Sequence, residues 1–134
     1  MAGLNVTTKL AATLQTIDTP NITSASPDSV SQSFSAQNRI EKQVYTIPAL
    51  GTATIALASE GFTACNLLKV ECLTPGKPFN LKFNGDAVGV TMVAPSGSDK
   101  AVFIANADFT SMVITNPDSA VPVSVCVSMF EKAP

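Results

Sequence analysis

The chain has 134 residues, 46% of them hydrophobic and only 13% charged, with a formal net charge of −2 and no histidine. That length suits one ordinary domain with a core of its own. The weak negative charge gives no basic field for nucleic-acid phosphates or an anionic membrane, apolar runs of only a few residues exclude a membrane-spanning helix, and the lack of imidazole removes Ser-His-Asp and Cys-His catalysis and histidine metal ligands together.

In chain order, residues 4–17 (LNVTTKLAATLQTI) place Leu4, Val6, Leu10, Ala12 and Leu14 on one parity and polar side chains on the other. A long strand is expected; Leu10, Leu14 and Ile17 would also fit a helical face, but the threonines and the missing N-cap box favour the extended form. No basic segment leads into an apolar run at the start, so synthesis and assembly in a cytoplasm are expected. Residues 18–38 break the composition, with six serines between Ser24 and Ser35 and prolines at Pro20 and Pro27. Such a stretch is either a linker or an arm that orders by lying on another surface. Val30 and Phe34 alternate with serines, which lets residues 29–37 add as a strand to a sheet edge. Ile22, Val30 and Phe34 are the partner-binding candidates, and the chain divides into an N-terminal strand and arm (1–38) and a β-sandwich domain (39–134).

Residues 43–58 read as two strands broken by Pro48 and Gly51. In residues 66–74, Leu68, Val70 and Cys72 form an inward set and Lys69 and Glu71 an outward one. Pro75, Gly76 and Pro78 then lead into FNLKFNGDAVGVTM, residues 79–92, where two arms face each other across Asn84-Gly85, a strong hairpin signal. Further strands are expected at 100–107, 111–115 and 121–130, the last with Val123, Val125, Val127 and Met129 on one face. Turns recurring about every ten residues indicate antiparallel strands rather than βαβ units. The fold class is therefore all-β, an antiparallel two-sheet, jelly-roll-like sandwich of eight or nine strands with an extended N-terminal arm.

The chemistry-bearing residues read as structural. Asn84-Gly85-Asp86, Asn106-Ala107-Asp108 and Asn116-Pro117-Asp118 could offer oxygen ligands to calcium, yet each stands where a turn is needed and supplies ordinary turn residues. Cys65, Cys72 and Cys126 are odd in number and lack CxxC spacing, which argues against a disulfide framework or zinc site. Tyr45, Phe62 and Phe109 are candidates for a binding surface, with core packing the better reading. The acids are scattered singly, without a glycosidase-like pair, and the glycines form no phosphate-binding pattern. No catalytic residue, metal site or cofactor is expected, and the protein is read as a non-enzyme.

The Ser/Thr-rich leader before Gln43, the IPALGTATIAL run at 47–57, the FNLKFNGDAV hairpin and the VITNPDSAVPVSVCV ending resemble the small β-sandwich virion proteins of tailed bacteriophages, especially head decoration or cement proteins and fibre-anchoring domains. The resemblance implies a jelly-roll-like module, often trimeric, that sits on the outside of a viral head and reinforces capsomer contacts through a terminal arm. It further implies the major capsid protein or another virion protein as partner and the virion as location. The alternative is a fibre or tail-tip module that recognises a host saccharide or protein. The high apolar content points the same way, toward a homo-oligomer whose neighbours cover sheet faces and edges.

Overall fold

The computed structural model describes residues 4–12, 28–106 and 108–133, with residues 4–12 and 28–35 described by their strand pairing. The strands are β1 (Leu4–Ala12), β2 (Asp28–Ile47), β3 (Thr52–Ala56), β4 (Leu67–Cys72), β5 (Phe79–Phe83), β6 (Val90–Met92), β7 (Val102–Ala105), β8 (Ser111–Thr115) and β9 (Val123–Lys132), with one 3-10 turn at Leu57–Glu60. All pairings are antiparallel. One sheet has the order β1-β2-β9-β4-β7 and the other β3-β8-β5-β6.

From residue 36 onward eight strands form two four-stranded sheets. Numbered among themselves from β2, they stand in the orders first-eighth-third-sixth and second-seventh-fourth-fifth. This is the arrangement of a jelly roll, two Greek keys closed into a double sheet. The core lies between the sheets: Leu68, Val70, Val123, Val125, Val127 and Met129 from one side meet Ile55, Phe79, Leu81, Met112 and Ile114 from the other. Alternation of buried and open positions along β9 and β4 follows the period of 2 that the sequence carries. Each fully buried large aliphatic or aromatic side chain contributes about 1.5–3 kcal/mol.

Polar side chains hold the ends of the sandwich. Asn116, wholly buried, donates through Nδ2 to the carbonyls of Val121 (2.9 Å), Ile47 and Pro48 (both 3.2 Å). Its Oδ1 accepts from the Asp118 backbone at 2.9 Å. Asn84 has φ 54° and Gly85 φ 76°, and Asp86 N donates to Phe83 O at 2.9 Å, so the expected two-residue turn is present. The hairpin expectation needs one correction. Ladder pairing stops at Leu81–Val90, and residues 86–89 stay outside it before β6 begins. Asn84 explains this, because its N–H donates to Ser111 O and its Oδ1 accepts from Thr110 N (2.7 Å) and Oγ1 (3.0 Å), tying the turn to β8 instead of β6.

Residues 29–37 do form a strand, but within β2 and paired to this chain's own β1, and β2 runs on without a break to Ile47. β2 departs from regular register twice against β9. One extra residue lies between Ala36 and Asn38, and another between Ile40 and Gln43. Each insertion exchanges the two faces of the strand. Asn38 and Ile40 accordingly fall on the same side as Glu131 and Met129, whereas Ala36 and Val44 pair with the outward Lys132 and Cys126.

Candidate partner interface

The outer face of the β2-β9-β4-β7 sheet brings apolar and charged side chains together outside the core. Register places Val44, Cys126, Glu71 and Val102 in one row across the four strands. The next row holds Ser128, Lys69 and Ile104. Val44, Lys69, Glu71, Cys126 and Ser128 of these rows, with Lys42, Leu73 and Lys100, line a groove of about 350 Å³. Val44, Val102 and Ile104 stand 48%, 43% and 49% exposed, so the apolar part of this surface is open. Glu71 pairs with Lys69 at 3.4 Å and Lys100 at 3.3 Å. Burial alone would raise its pKa, but the two lysines outweigh that and hold the carboxyl below its usual range.

Lys42 occupies the second irregularity of β2. Its backbone is left-handed, φ 55°, and its N–H donates to Ser128 Oγ at 3.1 Å. A non-glycine residue in this conformation is held there by its surroundings. Toward the other end of the sheet, a second small cluster of Ala36, Leu67 and Phe130 lies apart from the main core. By alternation it belongs to the outer face, since Leu68 and Met129 next to it face inward.

Of the three residues singled out in the sequence, Ile22 lies outside the described residues. Val30 pairs with Leu10 and Phe34 with Val6, in a ladder of nine pairs that begins at Leu4–Ala36. Positions 30 and 34 therefore share parity with the buried Ala36. The opposite parity pairs Asn5 with Ser35, Thr7 with Ser33 and Lys9 with Ser31.

The other candidates are committed to structure. Phe62 and Phe109 are core residues, and Tyr45 packs against the core half-buried. Asn84 and Asn116 use their carboxamides in the bonds described above, and Asp118 is tied to Lys77 at 2.7 Å and to the N–H groups of Ala120 and Val121. Among the described residues no group of three or more metal-ligating side chains converges. Cys65 and Cys72 are buried; burial pushes the Cys65 thiol up to about 11 and raises Cys72 as well.

Two features were not read from the sequence. The groove draws on residues from β2, β4, β9 and two flanking loops, and only the outward setting of Lys69 and Glu71 was legible. Glu131 continues the inward parity of β9 and is buried. It accepts from Asn38 Nδ2 at 2.6 Å and from Thr63 N at 3.3 Å and Thr63 Oγ1, and these donors hold its carboxyl below the usual range. An acid at the end of a strictly alternating apolar face was the available signal. Neither a protein-family model nor a curated protein matches the sequence.

Proposed function

We propose that the protein is a structural component of a virus particle: a decoration protein that binds the outside of a tailed-phage head and stabilises contacts between capsomers, working as a homotrimer. The observation that carries this reading is the ribbon formed by β1 and the first half of β2. Its strands are nine residues paired one to one, with no third strand beside them among the described residues, because β9 joins β2 only from Ala36 onward. A two-stranded ribbon of this kind is marginal alone in water. The register collects Leu4, Val6 and Leu10 with Ala36, Phe34 and Val30 on one parity, so a neighbouring protein surface is what completes it.

The jelly-roll order supports the reading by analogy, since that fold recurs in capsid proteins as well as in lectins and cupins. The saccharide-binding alternative would draw on aromatic side chains, and those of the described side chains are engaged in packing: Phe62, Phe79 and Phe109 inside the core, Tyr45, Phe83 and Phe103 against it, and Phe130 in the small outer cluster.

The test is to incubate full-length protein with heads stripped of their decoration, beside the paired variant Val30→Asp with Phe34→Asp, and to count bound copies per head. Saturation at the number of capsomer junctions, lost in the variant, supports decoration. Binding of a few copies at one vertex, or none, rejects it in favour of a fibre or tail location. Light scattering on the free protein reads the trimer directly.

A further inference from the structure

The groove on the outer sheet face combines three properties that the ribbon does not supply. Lysines 42, 69 and 100 surround a single carboxylate, Glu71, in a chain whose formal charge is −2, so the local positive excess runs against the whole molecule. Glu71 bridges Lys69 and Lys100 and thereby fixes two ammonium groups at the rim, which lowers the ordering cost of binding an anion between them. Lys42 is presented from a strand irregularity in left-handed backbone anchored on Ser128, a device that re-aims a side chain. Apolar surface lies among these lysines, formed by the exposed Val44, Leu73 and the half-buried Cys126, and it continues beside the groove onto the exposed Val102 and Ile104 of β7. An exposed apolar surface with a polar rim is the form of a protein interaction site, and the sign of the rim selects its partner.

We propose that this groove docks an acidic segment of the shell protein, its carboxylates meeting Lys42, Lys69 and Lys100 and an apolar side chain between them lying on Val44 and Leu73. That the segment belongs to a shell rests on the function proposed above; the preference for acid rests on the groove alone.

The experiment is an amide-resolved NMR titration of the full-length protein with a short synthetic peptide alternating Asp and Leu, and with its counterpart carrying Lys in place of Asp. The acidic peptide shifts the amides of Val44, Glu71, Cys126 and Ser128 saturably, and the variant Lys42→Glu with Lys100→Glu weakens that binding by on the order of tenfold or more. Both lysines are exposed, and an unchanged thermal midpoint certifies that the variant is folded. Equal responses to the two peptides, or shifts that avoid the groove, overturn the proposal. So does attachment to stripped heads that the charge-reversed variant retains in full. A protein that binds the acidic peptide through these lysines yet attaches to no head keeps the groove and removes the shell as its partner.

Discussion

Lys77 Nζ lies 2.7 Å from Asp118 Oδ2, joining the loop before β5 to the loop before β9 at one end of the sandwich. The same carboxylate also accepts from the Ala120 and Val121 N–H groups at 2.8 and 2.9 Å. Lys77 and these two amides hold the Asp118 pKa down at about 2. A carboxyl whose folded pKa is depressed contributes stability above its unfolded value and loses it as pH falls through the folded one. Asp118→Asn should thus differ most from the parent protein in urea unfolding at pH 5–7, and the difference should shrink between about pH 4 and pH 2. A difference that stays constant across that range would remove Asp118 from the acid response.

Asn116 anchors the neighbouring strand ends through three carbonyls and one N–H. Asn116→Ala leaves buried acceptors without donors and should cost about 2–4 kcal/mol in denaturant unfolding, since each buried group so orphaned costs about 1–3 kcal/mol. A loss below about 0.5 kcal/mol, the range of an ordinary surface change, would mean that water replaces the amide.

Leu81 on β5 and Leu68 on β4 belong to one core although they sit in different sheets, and Phe83 packs against that core with its ring centroid 5.1 Å from Phe109 and 6.0 Å from Phe103. Leu81→Ala should cost about 2–5 kcal/mol. Lys82→Ala, on the opposite face of the same strand, should stay within about 0.5 kcal/mol. Comparable losses at both positions would contradict the register.

Gly85 and Gly89 should resist substitution for different reasons. At Gly85 the backbone φ is 76° with open space around a Cβ, so Gly85→Val meets conformational strain alone, about 1–2 kcal/mol, and more than Asp86→Ala. At Gly89 a Cβ would collide with Asn80 Oδ1 and come within 2.7 Å of Leu81 O. Gly89→Ala should cost about 1–3 kcal/mol, as overpacking does, and broaden the amide signals of β6. Calorimetry together with NMR separates the two cases.

The parts of the fold that were legible are those in which one strand speaks for itself. Leu68, Val70 and Cys72, and Val123 to Met129 on alternate positions, declared their buried side because a half-buried strand must alternate. Asn84-Gly85 declared a turn because few other pairs accept two positive φ angles. What depends on two distant strands was not legible. The hairpin failed to continue past its turn because Asn84 bonds to Thr110 and Ser111, residues whose proximity no local pattern reveals. The groove was hidden for the same reason, since Lys42, Lys69 and Lys100 become neighbours only after β2, β9 and β4 align.

The two single-residue insertions in β2 act as a phase control on everything N-terminal to them. Because each exchanges the faces of the strand and there are two, Ala36 and the ribbon positions beyond it return to the side on which Val44 lies, while Asn38 and Ile40 between them face the interior. Removing Gln37 takes out the extra residue itself and leaves Ala36 opposite Lys132, so the ribbon keeps its side. Taking Gln37 into the ladder with no residue removed would instead set Gln37 opposite Lys132 and turn the ribbon's register over, so the direction in which the arm leaves the sandwich depends on whether that one residue stays out of the pairing.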